Sequence, residues 1–371
     1  MNSRWKALSV SMRASSALEA GVADALDSAG VYAFGPRAEE ARIETDKAFQ
    51  REFMTDRGIP GCPDYETFDD PEAAADHLRA YDGDLAIKPR GLTGGKGVRV
   101  TGDQVTTQEG VDYVLESDYD EFVLEERLVG EEFTIQAFVA GGRYRVSPAV
   151  QDHKRAYEGD EGPNTGGMGS YSDATFELPF MTEAEYTAAV EILDAVVDAM
   201  PEYKGILYGQ FMLTADGPKV VEFNARFGDP EAMNTLPVLE TDFVELLRAA
   251  RDGDELPELE FSDRATVCKY AVPDGYPSDP TAGARVEIDP DSAGEALLFY
   301  ASVDAREDGV YTTTSRSFAV VGRAGTVTEA EAIAEDALER AGEAGLRVRH
   351  DIGTAGLLQS RIDHMDELRG E

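Results

Sequence analysis

The sequence contains little lysine, little cysteine and no long apolar run. Lysine occurs at only eight of 371 positions, so arginine supplies most of the 34 cations, against 73 aspartates and glutamates and a formal net charge of −39. Such an acidic chain is a poor ligand for nucleic acid, because phosphate backbones repel it. No apolar run approaches the length of a membrane-spanning helix, so we expect no membrane partner.

The two cysteines, Cys62 and Cys268, are far apart and lack the spacing of metal ligands. We expect both to be small buried residues in a reducing compartment, which predicts a cytoplasmic protein. The acids are spread along the whole chain and lysines are few, a pattern that favours adaptation to molar salt, where screening weakens self-repulsion. An ordinary acidic protein is the alternative.

The first sixteen residues differ from the rest of the chain. They hold Arg4, Lys6 and Arg13 but no acid, a composition that is also typical of transit peptides. We expect residues 1–16 to be an unrelated or disordered segment without function.

From Ala17 onward the hydrophobic periodicities alternate as in an α/β protein, and the length suits two or three domains. Helices are predicted over 17–28 and 71–81, and a third begins at a capping box formed by Thr182 and Glu185. Strands are predicted over 31–34, 85–88, 98–100, 121–128, 132–139, 144–150, 206–213 and 219–223.

A final α+β module is predicted over about residues 265–357. Thr328 and Glu331 have the spacing of a capping box for its last long helix.

Residues 151–171 combine a basic cluster with a glycine-rich turn. His153, Lys154 and Arg155 precede the uncharged run 162–169. Backbone N–H donors beside cationic side chains predict an anion site.

A second glycine-rich loop, 91–97, lies between two predicted strands. It is not a Walker A sequence, because three residues separate Gly91 from Gly95 and Gly97 follows Lys96. Its backbone amides can fold over phosphates, with Lys88 and Lys96 supplying charge. A plain flexible hairpin is the alternative.

Two further strands carry candidate ligands. The strand that ends in Glu125 and Glu126 can present its backbone to an adenine edge, with Glu132 accepting both ribose hydroxyls; a solvated acidic strand end is the alternative. On the strand before Arg226, Glu222 and Asn224 share one face, which suits Mg²⁺. A half-buried alternating strand is the alternative there.

Together these motifs resemble the phosphoribosylamine–glycine ligase family of ATP-grasp enzymes. The resemblance covers about residues 17–357, and the GPNTGGMG and EFNARFGDPE segments are its specific parts. Its motifs are TDKAF at 45–49, KPRGLTGGKGV at 88–98, LEERLVGEEF at 124–133, QDHKR with GPNTGGMGSY at 151–171, VEFNARFGDPE at 221–231 and, more weakly, RHDIG at 349–353.

The resemblance implies an ATP-grasp fold, mixed α/β (α+β), with a remnant of a Rossmann-like N-terminal domain and a small C-terminal α+β domain. The implied boundaries are 17–45 for the remnant, 46–255 for the ATP-grasp domain with its glycine-hairpin subdomain at about 65–130, 265–357 for the C-terminal domain and 358–371 for a tail.

The resemblance also implies roles for individual residues. ATP phosphates and adenosine are assigned to Lys47, Lys88, Gly94, Gly95, Lys96, Gly97, Glu125, Glu126, Leu128 and Glu132. The ribosyl phosphate and reacting amine are assigned to Asp152, His153, Lys154, Arg155, Asn164, Thr165, Gly166, Gly167 and Gly169. Mg²⁺ or Mn²⁺ is assigned to Glu222 and Asn224, and the predicted catalytic residues are Arg226, Asp229 and Lys154.

The implied reaction transfers a phosphoryl group from ATP to glycine, after which the amine of 5-phosphoribosylamine attacks the acyl phosphate. Three departures stand beside it. The chain joins the family pattern only near the end of its N-terminal domain, Arg90 replaces a usual acid, and Gln210 stands where a metal carboxylate is common.

We expect a monomer that binds ATP, glycine and 5-phosphoribosylamine. Two alternatives remain open at this point. One is an ATP-grasp ligase with another substrate, and the other is a non-catalytic nucleotide-binding remnant.

Overall fold

The computed structural model describes residues 11–91, 97–341 and 345–370, and its mixed α/β character confirms the predicted fold class. The helices are α1 (Ser11–Glu19), α2 (Val22–Ser28), α3 (Arg42–Thr45), α4 (Lys47–Arg57), α5 (Pro71–Ala80), α6 (Thr107–Glu116), α7 (Glu183–Ala199), α8 (Glu231–Thr235), α9 (Phe243–Asp252), α10 (Val327–Ala341) and α11 (Ala355–Arg369).

Four predicted strands, those over 85–88, 132–139, 206–213 and 219–223, are longer in the structure, whereas those over 98–100, 121–128 and 144–150 are shorter. The strands are β1 (Tyr65–Phe68), β2 (Leu85–Pro89), β3 (Arg99–Val100), β4 (Phe122–Glu126), β5 (Glu131–Ala140), β6 (Arg143–Val146), β7 (Gln151–Asp152), β8 (Arg155–Tyr157), β9 (Glu161–Asn164), β10 (Gly169–Ser172), β11 (Gly205–Thr214), β12 (Gly217–Asn224), β13 (Ala265–Ala271), β14 (Arg285–Val286), β15 (Leu297–Tyr300), β16 (Val303–Arg306), β17 (Gly309–Thr312) and β18 (Phe318–Ala324).

Local sequence explains where the prediction is right and where it is not. The capping box of Thr182 and Glu185 opens α7 as expected. The helix predicted over 17–28 is divided by Gly21, whose φ of 74° is left-handed. The strand predicted over 31–34 is absent from the described structure, where these residues pair with no neighbouring strand.

The C-terminal end also differs from the prediction. The hydroxyl of Thr326 accepts a hydrogen bond from the Glu329 amide at 3.3 Å. Helix α10 therefore begins at Val327, one residue before the predicted cap at Thr328. Residues 358–369, predicted as a tail, form most of α11, whose first turn is capped by the Thr354 hydroxyl.

Two antiparallel sheets meet where the candidate site lies. The first has the order β1-β4-β2-β3 and packs against α5 and α6 through a small apolar core that includes Leu78, Ile87 and Phe122. The second has the order β12-β11-β5-β6 and is covered by α7. A register shift between Gln210 and Phe211 leaves one extra residue, Val221, in β12.

A third sheet joins the two predicted modules. Its order is β15-β18-β13-β10-β7, so strands from before residue 255 and strands from after residue 265 form one continuous ladder. Tyr171, Val267 and Ile352 share the same main core. Among the residues that the structure describes, no helix is both long enough and apolar enough to cross a bilayer.

Candidate active site

A cluster of charges lies where β2 and β4 of the first sheet approach β12 of the second. The buried carboxylate of Glu125 accepts from Arg51 Nε at 2.8 Å, from Arg51 Nη2 at 2.9 Å and from Lys88 Nζ at 2.7 Å. Burial alone would raise the pKa of Glu125, but Arg51 and Lys88 hold it below its usual value. We call Lys47, Arg51, Lys88, Glu125 and Glu222 the charged cluster.

The extra residue in β12 completes this cluster. The carbonyl of Val221 accepts from Arg51 Nη2 at 2.7 Å and from Lys88 Nζ at 3.0 Å. A residue displaced from the ladder by a bulge leaves its carbonyl free for such contacts. The bulge therefore supplies the carbonyl through which Lys88 contacts the second sheet.

Lys47 and Lys88 are the two predicted phosphate lysines that the structure describes. Lys47 Nζ donates to the Gly91 carbonyl at 2.6 Å, at the entrance of the glycine loop. Burial lowers the pKa of both lysines, and nearby Glu222 and Glu125 oppose that shift. The predicted Gly94, Gly95 and Lys96 lie outside the described residues.

The base of the glycine loop is tied to the start of α4. The guanidinium of Arg90 makes two contacts with Asp46, Nε to Oδ1 at 2.9 Å and Nη2 to Oδ2 at 3.0 Å, and a third with Glu121 at 3.1 Å. Asp46 also caps α4 by accepting from the Phe49 amide at 3.1 Å. Arg90, the departure noted in the sequence, is thus a structural anchor.

The remaining residues predicted for ATP occupy different environments. Gly97 is buried and its carbonyl accepts from the Tyr113 hydroxyl at 2.8 Å. Glu126 pairs with Lys219 at 2.9 Å, while Leu128 is half-buried in the segment after β4. Glu132 accepts from Gln210 Nε2 at 2.7 Å and its Oε2 lies 3.7 Å from Lys154 Nζ.

Glu222 and Asn224 lie side by side on β12, as predicted. Asn224 Nδ2 donates to Glu222 Oε1 at 3.1 Å. Burial would raise the pKa of Glu222, but Lys154, Asn224 and the other lysines lower it. Gln210, opposite Glu222 in the ladder, has a buried Oε1 with no hydrogen-bond partner in the described structure. Oxygen donors of this kind suit a hard divalent cation.

Lys154 lies among acids. Burial would lower its pKa, but Glu132, Glu222, Asp152 and Glu231 raise it. In turn, burial and the charge of Glu231 raise the pKa of Asp152 well above its usual value. Asp152 Oδ1 is buried, and within the described ranges it has no hydrogen-bond partner. These groups place one cation beside one unpaired oxygen of Asp152, an arrangement that can hold a polar substrate.

The glycine turn, residues 162–169, is not the open row of amide donors that the sequence suggested. The amide of Thr165 donates to the Lys154 carbonyl at 2.7 Å, and that of Gly167 donates to the Thr165 hydroxyl at 3.0 Å. Met168 N donates to the His153 carbonyl at 2.8 Å. That part of the anion-site argument is wrong, because backbone groups in a compact turn satisfy one another first.

The residues that flank the turn are anchored as well. Arg155 donates from Nη1 to the Gly162 carbonyl at 2.8 Å and contacts Asp103 in the turn after β3. Asn164 faces Arg155 in the β8–β9 pair, and Gly169 begins β10. His153 is buried, and in the described part of the chain neither ring nitrogen has a hydrogen-bond partner.

Arg226 and Asp229 are held by neighbours rather than exposed. Arg226 Nε lies 3.1 Å from Glu44 Oε1, and Nη2 donates to Asn224 Oδ1 at 3.2 Å. The carboxylate of Asp229 accepts from the Tyr270 hydroxyl at 2.6 Å and from Arg316 Nη2 at 3.0 Å. Both Asp229 oxygens are therefore already engaged.

Sequence reasoning missed several residues of this site. Arg51 and Glu44 lie on α4 and α3, where no helix was predicted. The quoted VEFNARFGDPE segment already contains Glu231, which accepts from the Tyr208 hydroxyl at 2.7 Å. Arg316 comes from the C-terminal part of the chain, and no motif marked it.

The fold and this arrangement of lysines, carboxylates and an asparagine across two antiparallel sheets define an ATP-grasp ligase. The ATP-grasp (A) domain of phosphoribosylglycinamide synthetase matches residues 45–232, and the C domain of the same enzyme matches residues 266–355. The chain belongs to this family, the phosphoribosylamine–glycine ligases, which confirms the resemblance.

Individual relatives agree with the family match. The phosphoribosylamine–glycine ligase of Methanosarcina acetivorans is 55% identical over 95% of this chain and 81% of its own length. The solved phosphoribosylamine–glycine ligase of Thermotoga maritima is 27% identical, with a TM-score of 0.76 over 86% of this chain and 81% of its own. A biotin carboxylase domain from Hydrogenobacter thermophilus, 15% identical with a TM-score of 0.69 over 94% of this chain and 76% of its own, shares the fold alone.

Proposed function

We infer that this protein is an ATP-dependent ligase of purine biosynthesis that joins glycine to 5-phosphoribosylamine. The glycine carboxylate attacks the γ-phosphorus of ATP, giving glycyl phosphate and ADP. The amine nitrogen then attacks the acyl carbon, the bond to phosphate breaks, and the nitrogen loses a proton to give glycinamide ribonucleotide. The observation that carries this function is the meeting of Lys88, Glu222 and Asn224 across two sheets, in a chain of this family.

The charged cluster is the phosphate site in this proposal. Lys47 and Lys88 neutralise the ATP phosphates, together with Lys96 and the amides of Gly94, Gly95 and Gly97 from the glycine loop. Glu125 takes a different role from the one first predicted, because its carboxylate is bound to Arg51 and Lys88. It positions Lys88, while Glu126, Leu128 and Glu132 remain the proposed adenosine contacts.

Mg²⁺ or Mn²⁺ is the proposed cation. Glu222 and Asn224 would hold it, and the unpartnered Oε1 of Gln210 is a third oxygen on the same face. The cation would supply positive charge for the oxygens of the transferring phosphoryl group. Arg226 orients the amide of Asn224 so that its oxygen stays on that face.

The substrate side is assigned to the other predicted residues. Lys154 and the unpaired oxygen of Asp152 face the charged parts of the amine substrate. Their burial, and the effect of each group on the pKa of the other, support this assignment. The other residues that shape this side, which we call the substrate wall, are His153, Arg155, Asn164, Thr165, Gly166, Gly167 and Gly169. Arg226 keeps its proposed catalytic role beside Asn224, whereas Asp229 acts through its hold on the loop after β12.

Three further expectations accompany this function, on the cell compartment, the oligomeric state and the adaptation to salt. We propose a cytoplasmic monomer, supported by two free cysteines. We also propose adaptation to molar salt, supported by the net charge of −39 and the eight lysines. Sedimentation tests the oligomeric state, and activity across a KCl series tests the adaptation to salt.

The test is an assay of ADP release in molar KCl with Mg²⁺, glycine and freshly prepared 5-phosphoribosylamine. Release that requires both substrates, with glycinamide ribonucleotide as product, is expected. Release with a different amino acid and amine, but not with this pair, would establish another ATP-grasp ligase. Binding of Mg·ATP without turnover under every pairing would establish a nucleotide-binding remnant.

A further inference from the structure

Arg316 reaches the glycine turn from outside the ATP-grasp part of the chain. It lies just before β18, within the segment that matches the C domain. Its guanidinium is buried and donates from Nη1 to the carbonyls of Gly166 at 2.7 Å, Gly167 at 3.1 Å and Asp229 at 3.1 Å. Nη2 donates to Asp229 Oδ2 at 3.0 Å. One side chain thus fastens the turn to the loop that follows β12.

Two tyrosines from the same segment complete the fastening. Arg316 lies over the ring of Tyr270, with its central carbon 4.3 Å from the ring centre. The Tyr270 hydroxyl donates to the second oxygen of Asp229 at 2.6 Å, and the Tyr276 hydroxyl accepts from the Gly166 amide at 3.3 Å. The carbonyls of Gly166 and Gly167 and the amide of Gly166 are therefore all held by the C-terminal segment.

The contacts require an arginine. A guanidinium presents a rigid fork of donors that can serve several carbonyls and a carboxylate at once, whereas an ammonium is a single point on a flexible stem. A buried cation is tolerated only when its partners are in place. Lysine at position 316 would keep the charge and lose this geometry.

The position of the turn matters because it touches the proposed substrate wall. Gly167 has a φ of 103°, and a Cβ there would lie 2.8 Å from Asp152 Oδ1 and 2.6 Å from Pro230 Cδ. Asp152 Oδ1 is the buried oxygen that lacks a partner among the described residues. A shift of the turn by a few tenths of an ångström would change the space in front of that oxygen.

We propose that Arg316 is a positioning residue for the ligase reaction, which sets the glycine turn and the Asp229 loop beside the wall assigned to the amine substrate. Glycine must bind next to that wall, because its acyl phosphate reacts with the amine. The inference rests on the proposed function. It predicts that losing the fork impairs the use of these two substrates and leaves ATP binding, on the charged cluster, unchanged.

The experiment compares the full chain with Arg316→Ala, Arg316→Lys and, as matched control, Arg323→Ala. Arg323 lies on β18, the strand that follows Arg316, and its Nη1 donates to the Pro237 carbonyl at 3.2 Å. For both Arg316 variants we expect the KM for glycine or 5-phosphoribosylamine to rise about tenfold or more, with an unchanged KM for ATP. Added guanidinium ion should partly restore Arg316→Ala.

Equal rises of all three KM values, or no rise, would overturn the inference. If Arg316→Ala fails to fold, Tyr276→Phe serves in its place, because it removes only the contact to Gly166 N, and the same split of KM values is required. Wild-type protein without substrate-dependent ADP release would instead refute the proposed function itself.

Discussion

The charged cluster and the glycine turn meet at Lys154, yet they are held in place by different means. In the cluster, cations and acids hold one another, with Glu125 between Arg51 and Lys88. In the turn, backbone groups are fixed by neighbouring backbone and by Arg316. We infer from this difference that the charged cluster can exchange its ion-pair partners when an anion binds. The glycine turn, in contrast, is fixed before any substrate binds.

The strongest test of the cluster is Glu125→Gln. It leaves Arg51 and Lys88 buried without their anion, so we expect the free energy of unfolding to fall by about 3–5 kcal/mol. Urea denaturation in molar KCl measures the loss. The matched control is Glu126→Gln on the next residue, whose half-exposed pair with Lys219 should matter by no more than about 1 kcal/mol. Equal losses in both variants would remove the distinction between a buried network and a surface pair.

Asn224→Ala probes the oxygen face of β12. Loss of the amide oxygen should lower kcat by about 100-fold while the protein stays folded. The cation that stabilises charge on the transferring phosphoryl group would then have one fewer protein ligand. Asn224→Asp keeps an oxygen at the same place and should retain most activity at high Mg²⁺. Turnover in Asn224→Ala that is unchanged across a Mg²⁺ titration would contradict the assignment.

The pKa of His153 tests whether the interior beside the glycine turn is rigid and excludes water. Burial lowers its pKa to about 3 from an ordinary value of 6.5. The unfolded chain therefore takes up a proton below about pH 6.5 that the folded chain refuses until about pH 3. This group should lower the free energy of unfolding by about 1.4 kcal/mol for each pH unit across that window as the pH falls.

The measurement is urea denaturation between pH 7 and pH 4 for wild type and His153→Phe. The variant should show the shallower dependence on pH, with His77→Phe on α5 as a control. If both variants keep the wild-type slope, His153 is not a neutral buried group.

The smallest expected effect concerns Lys154, where the two regions meet. Lys154→Ala should raise the KM for 5-phosphoribosylamine about tenfold and the KM for ATP less, since one charge-assisted contact is lost on the substrate wall. Lys219→Ala, beside Glu126, is the control. A larger rise for ATP would place Lys154 with the charged cluster, as its nearness to Glu132 also allows.

Much of the fold could be predicted because strand and helix signals are local. The capping box at Thr182 and the strands predicted over 206–213 and 219–223 depend on neighbours in sequence, and all are present. The bulge at Val221 was not predictable, since it depends on register with β11. Helix α11 was missed because its amphipathic pattern is weak and its packing is tertiary.

The candidate site divides in the same way. Glu222 and Asn224 follow from the two-residue period of a strand. The engagement of Asp229 and of the Gly166 amide and carbonyl does not, because their partners, Arg316, Tyr270 and Tyr276, are remote in sequence. Motifs place residues near a ligand, but only the fold reveals which of their atoms are already bound.

The sheet that runs from β15 to β7 also affects how the chain must be made. Strand β10 has β7 beside it early, but its other neighbour, β13, leaves the ribosome only after α7, β11, β12 and α9. Until then the nascent chain carries an open edge of Gly169–Ser172, a place where another chain can pair. Folding of the ATP-grasp part is thus completed by a strand that is translated after it, and we expect a chain cut before β13 to expose this edge.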